Sequence, residues 1–234
     1  MEAAQPIEGK PNEALLQHVS RVGIVIDASG SMNGKQEEVR SGFNEQLEAI
    51  QSAPDNIETY VTVVEFSTDF RVVCENIPAE SVERMTEDDY HPNGMTALFD
   101  AIGKTMNIME KSSKEGDSFL LVLITDGYEN ASVEYKKDSL GALVREKQDK
   151  GGWTITCMVA NVDVNELISA IGLHTNNAAM YVGNAAGTRK AFGGMSAGTM
   201  SYMSNMSQSE ALGFDTDAFY PLGKKKDDDS ENDA

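Results

Sequence analysis

Apolar residues recur along this chain in two rhythms. Unbroken runs of strand length, Val22-Gly23-Ile24-Val25-Ile26 and Phe119-Leu120-Leu121-Val122-Leu123-Ile124, read as parallel strands buried on both faces. They predict strands over 21–27 and 118–125. Elsewhere the apolar positions fall at helical spacing. Val39, Phe43, Leu47 and Ile50 predict a helix over 35–52, ended by Ala53-Pro54-Asp55-Asn56. Leu98, Ile102, Met106 and Met109 predict another over 97–112. Strands are expected over 59–67 and 69–74. Only Ser67-Thr68-Asp69 separates them, so they form a hairpin with one antiparallel edge strand. A helix over 134–150 carries Leu140, Leu143 and Val144 and stops at Gly151-Gly152. A strand over 153–160, a short helix over 163–171 and a last strand over 178–182 follow. Residues 12–19 are expected as a short helix or a strand lead-in, and 79–89 as a helical turn. The alternation of strand and helix predicts an α/β fold, a doubly wound, mostly parallel sheet with helices on both faces.

This reading divides the chain into an N-terminal extension (1–17), one α/β domain (18–183), a closing helix (184–209) and an acidic tail (210–234). The closing helix begins near Thr188-Arg189-Lys190-Ala191-Phe192 despite its glycines. The tail runs Lys224-Lys225-Lys226 into Asp227-Asp228-Asp229 and reads as a solvated, disordered end.

A length of 234 residues with 40% hydrophobic composition suits one such domain with appendages. The formal net charge of −19 argues against nucleic acid or an anionic membrane as partner, since both would be repelled. It favours divalent cations and basic protein surfaces. Met1-Glu2-Ala3-Ala4-Gln5 is not a basic start to an apolar leader, and no apolar run reaches membrane-spanning length, so a cytoplasmic location is expected. Cys74 and Cys157 lie in apolar, strand-like segments and read as buried reduced thiols rather than a redox pair. His18 and His174 have no companion at ligand spacing and read as structural or surface residues.

The chemistry collects at strand ends. Asp27-Ala28-Ser29-Gly30-Ser31 follows the first apolar run and Asp126-Gly127 follows the second, where open α/β sheets place their ligand crevices. Thr96 follows a separate loop, Tyr90-His91-Pro92-Asn93-Gly94-Met95. Each piece alone is ordinary turn or cap chemistry. Together, two carboxylates and three hydroxyls suit a hard, oxygen-seeking cation such as Mg2+, with Mn2+ or Ca2+ as the alternatives. Such a shell is poor in direct charge, so the ion stays electrophilic and welcomes one further carboxylate.

The segments Ile26-Asp27-Ala28-Ser29-Gly30-Ser31-Met32, Gly94-Met95-Thr96-Ala97-Leu98 and Ile124-Thr125-Asp126-Gly127 resemble the metal-ion-dependent adhesion site of von Willebrand factor A domains. The resemblance covers roughly 18–183. It implies a six-stranded sheet ordered 3-2-1-4-5-6. It also implies that Asp27, Ser29, Ser31, Thr96 and Asp126 carry the family's metal roles, the serines and threonine touching the ion and the aspartates often acting through water. The chain departs from the pattern at Met95, where many members have a second glycine. Asp126-Gly127-Tyr128-Glu129-Asn130-Ala131-Ser132 is similar to small cytosolic bacterial and phage members. Met32, Asn33, His91, Asn93, Tyr128 and Glu129 are expected to form a rim of partner contacts.

The function expected is a binding module in which a partner protein donates a Glu or Asp carboxylate to the bound ion, in a scaffold or assembly role. A Mg-dependent phosphohydrolase is the enzymatic alternative. It suffers because the position two residues after Asp27 is Ser29, a poor general acid, and no lysine near the strand ends is evident. Homomeric assembly through the metal site, with Glu129 or a tail acid reaching the next copy, is the other alternative. A dinucleotide site is excluded, since no Gly-x-Gly-x-x-Gly turn follows the first strand.

Overall fold

In the computed structural model the residues described are 18–160, 164–173 and 177–206. The N-terminal extension, His174 and the acidic tail lie outside them. Strand β1 (His18–Asp27) is flanked by β2 (Ile57–Phe66) and β4 (Ser118–Thr125), parallel to both. Strand β3 (Phe70–Pro78) pairs antiparallel with β2 at one edge. Strands β5 (Trp153–Val159) and β6 (Ala178–Met180) extend the sheet in parallel, giving the order β3-β2-β1-β4-β5-β6. The predicted hairpin and its antiparallel edge are both present.

Every residue of β4 is buried, and so is β1 from Ser20 onward, as continuous apolar runs require. Their side chains alternate between two cores. On one face Val22, Ile24, Ile26, Leu120, Val122 and Ile124 meet α1 (Gln36–Gln51) and α5 (Ala185–Met206). On the other, Val25, Phe119, Leu121 and Leu123 meet α2 (Leu98–Lys111), α3 (Lys137–Lys150) and α4 (Val164–Ile171). The predicted helix faces are the buried ones: Val39, Phe43, Leu47 and Ile50 in α1, and Leu98, Ile102, Met106 and Met109 in α2. Gly23 lets α2 approach β1, since a Cβ there would lie 2.5 Å from Met109 Sδ.

The boundaries differ from expectation where a distant group takes the backbone. Helix α3 starts at Lys137 rather than near 134, because the N–H groups of Val133, Glu134 and Tyr135 are held by the Asp100 carboxylate. Helix α5 starts at Ala185, ahead of Thr188, because Asn184 caps it: its Oδ1 accepts the Gly187 N–H at 2.9 Å. Of 79–89 only Ala79–Ser81 forms a helical turn. Among the described residues no helix is long and apolar enough to cross a membrane. Cys74 is half-buried, Cys157 is fully buried, and both are free thiols. His18 shares a 2.9 Å hydrogen bond with Ser118, a structural contact.

Candidate metal centre

The strand order reverses on either side of β1, between β1–β2 and β1–β4, and the crevice at such a switch lies beyond the strand C-termini. Asp27 closes β1 and Asp126 directly follows β4, so two carboxylates arrive side by side. Three backbone bonds stitch the surrounding loops together: Asn93 N to Ala28 O at 2.8 Å, Gly30 N to Gly94 O at 3.0 Å, and Ala97 N to Ser67 O at 2.9 Å. Gly94 makes this possible. Its φ of +84° is left-handed, and a Cβ would sit 2.8 Å from Thr68 Oγ1. Met95 needs no such freedom. It donates its N–H to Thr68 Oγ1 at 2.9 Å and turns its side chain outward, 53% exposed, so the departure from two glycines is accommodated.

The five predicted donors converge. Ser29 N donates to Asp27 Oδ1 at 2.8 Å, and Thr125 Oγ1 donates to Asp27 Oδ2 at 2.5 Å, so both oxygens of this fully buried carboxylate are engaged. Ser29 Oγ and Ser31 Oγ lie 3.0 Å apart, and Ser31 Oγ donates to Asp126 Oδ1 at 2.6 Å. Gly127 measures how close Thr96 comes: a Cβ there would be 3.0 Å from Thr96 Oγ1 and 3.5 Å from Ser31 Oγ. The missing side chain leaves the hydroxyls of two loops facing one space. Thr96 is not the helix cap, which falls at Ala97. Ser29, Thr96, Asp27 and Asp126 are buried, while Ser31 is exposed, so the cluster opens to solvent on one side.

Burial pushes the Asp27 carboxyl above its ordinary range, and the hydrogen bonds from Ser29 and Thr125 oppose that rise. Buried Tyr90 reaches the same strand end, donating its hydroxyl to Asp27 O at 2.5 Å. Among the described residues no three His, Cys, Asp or Glu side chains form a charged metal cage. The donor set is instead hydroxyl-rich with two acids, which fits a hard divalent ion and not a soft one.

One group was missed from sequence. Lys35, 8% exposed, sets its ammonium on Asp126 Oδ2 and donates to Ser31 O at 3.1 Å. A lysine does stand at the strand ends, contrary to the expectation that none is evident. No local signal could have found it, since its partner lies 91 residues away.

The proposed rim divides. Asn33, His91, Asn93 and Tyr128 are exposed beside the site, Tyr128 by 54%. Met32 is not on the rim. Its side chain is fully buried in the core of α1 and α5, because the turn after Ser31 rotates it inward. Glu129 is a brace rather than a rim contact. It accepts hydrogen bonds from Phe99, Ala131 and Ser132 N–H groups and from Ser132 Oγ, at 2.6–3.0 Å, and so fastens the 128–132 loop to the start of α2. Met95, exposed next to Thr96, is the apolar rim residue that sequence reading left out.

Comparison with known proteins agrees with this architecture. The structure described as von Willebrand factor type A from Catenulispora acidiphila is similar with a TM-score of 0.55 and 19% identity over 78% of this chain and 43% of that one. The proximal thread matrix protein 1 of the mussel byssus, described with a zinc-occupied MIDAS motif, gives 0.54 and 16% over 76% and 45%. Manganese-loaded Plasmodium vivax TRAP protein gives 0.50 and 14% over 75% and 72%. The chain thus spans less than half the length of the first two, and identities this low show the fold alone. A comparison with curated proteins found no match. The model of the von Willebrand factor type A domain matches residues 22–192, and the chain belongs to that family.

Proposed function

We propose that this chain is a divalent-metal-dependent protein-binding module, with Mg2+ as the ion and a partner Glu or Asp carboxylate completing its coordination. The observation that carries this reading is the convergence of the Ser29, Ser31 and Thr96 hydroxyls around Gly127, backed by Asp27 and Asp126 and open on one side. Ser29, Ser31 and Thr96 would hold the ion directly, and the two aspartates would hold its waters. The ion supplies an electrophilic centre for an incoming carboxylate. The protein supplies shape: exposed Met95 and Tyr128 offer apolar contact beside that carboxylate, as interface anchors do. The metal carried by the mussel and Plasmodium neighbours supports the reading. A scaffold or assembly role follows, and a cytoplasmic setting suits two unbridged thiols.

The phosphohydrolase alternative is less supported. Asp27 is fully buried with both oxygens engaged, and a nucleophile must be reachable. Assembly through Glu129 is less supported too, since its carboxylate is spent within its own chain. Calorimetric titration with Mg2+ and Mn2+ tests the proposal. One saturable site is expected in the wild type and none in Asp126→Ala. Capture from a source-cell lysate should then retain a protein in Mg2+ that is lost in chelator and with Thr96→Ala. Binding indifferent to the ion would overturn the reading.

A further inference from the structure

Lys35 stands where neither helix physics nor burial favours it. It occupies the N-cap position of α1 and makes no side-chain capping bond. A cation there faces the positive end of the helix dipole, which ordinarily costs stability. Lysine is also rarely buried unless paired, and Lys35 is only 8% exposed. Both penalties are offset across the site. The ammonium contacts Asp126 Oδ2 and Ser31 O, while Asp126 Oδ1 takes the Ser31 hydroxyl at 2.6 Å. The lysine therefore bears on the very carboxylate and serine loop that the ion would use.

We infer that Lys35 is a tethered counter-cation that ties the site's two loops together and weakens its hold on a divalent ion, an inference that rests on the metal-site reading above. The charges make the case. Asp27 and Asp126 bring two negative charges, and Lys35 cancels one. Adding a divalent ion leaves the cluster one positive charge in excess, with the two cations on one carboxylate in a poorly screened pocket. The ion must displace the ammonium from Asp126 or bind against its repulsion. An incoming carboxylate restores neutrality, so metal occupancy is coupled to the acidic partner. The Lys35 ammonium also links Ser31 O, at 3.1 Å, to Asp126, so it braces the 29–31 loop against the end of β4.

The test uses Mn2+ alone as the probe, on the full chain, with wild type, Lys35→Met and Lys35→Arg. Calorimetry should show Mn2+ binding tighter by about tenfold or more in Lys35→Met, since a nearby like charge is removed. Lys35→Arg, which keeps the charge, should stay near wild type. In chelator, the melting temperature of Lys35→Met should fall below wild type, and Mn2+ should restore it. Binding in the wild type that tightens in Lys35→Met and not in Lys35→Arg supports both the lysine's role and the metal site. Equal affinity in wild type and Lys35→Met overturns the role of Lys35 and leaves the metal site standing. No binding in any of the three removes the metal reading, and this inference with it.

Discussion

At Asp100 one carboxylate accepts three successive backbone N–H groups, from Val133, Glu134 and Tyr135, at 2.7–3.0 Å. Burial would raise this acid, but the three N–H groups outweigh it and hold it below the ordinary carboxylate range. Asp100→Ala should cost about 2–4 kcal/mol, read from urea midpoints, because three part-buried backbone donors lose a charged acceptor. The sign with pH follows from the lowered pKa. The stabilisation is present above the unfolded-state pKa and is lost as pH falls through the folded-state value. The midpoint gap between wild type and Asp100→Ala should therefore narrow on going from about pH 6 to about pH 3. The thiols make a second test at this scale. Burial raises both, but Cys74 is half-buried and Cys157 is fully enclosed. An aromatic disulfide reagent should label Cys74 in the native protein and Cys157 only on unfolding. Simultaneous labelling would contradict this packing.

Between elements, α1 meets α5 closely at Gly42. A Cβ at Gly42 would lie 2.0 Å from Phe192 Cγ, so the ring occupies the space a side chain would need. Gly42→Ala should cost about 1–3 kcal/mol through overpacking. Gly193, next to that ring in sequence, is exposed and a Cβ there meets nothing within 4 Å. Gly193→Ala should be neutral or stabilise by up to about 1 kcal/mol, since alanine is the better helix former. Opposite outcomes for the two glycines, measured by chemical denaturation, would establish that α5 is docked by Phe192. The 128–132 loop acts on α2 in a related way. Its N-terminal N–H groups at Phe99 and Asp100 go to Glu129 and Ser132 rather than to a local cap, tying the loop beside Asp126 to a helix of the core.

For the whole molecule, the site joins loops after β1, β4 and the β3–α2 connection, so an ion there binds only the folded chain. Mg2+ or Mn2+ should raise the melting temperature in proportion to the logarithm of its concentration. At about one hundred times Kd the gain is about 2.7 kcal/mol. Thr96→Ala should flatten that dependence in a thermal-shift series while leaving the fold intact. A metal-independent melting temperature in the wild type would count against the site.

What the sequence determined by itself was local or periodic. The β1 and β4 runs are legible because parallel strands bury both faces, and the helix faces of α1 and α2 because burial follows the helical repeat. The segments around Asp27, Thr96 and Asp126 are legible because strand ends are where an α/β sheet leaves its crevice. Tertiary structure alone decided the start of α3, which is set by a carboxylate on another helix, and the inward turn of Met32. It alone turned Glu129 from a surface acid into a brace, and Lys35 from a helix-end lysine into the counter-ion of Asp126. The physical reason is common to these cases. Hydrophobic periodicity is written in neighbouring residues, but a charged or hydrogen-bonding group finds its partner across whatever distance the folded sheet has closed, and no spacing in the chain records that distance.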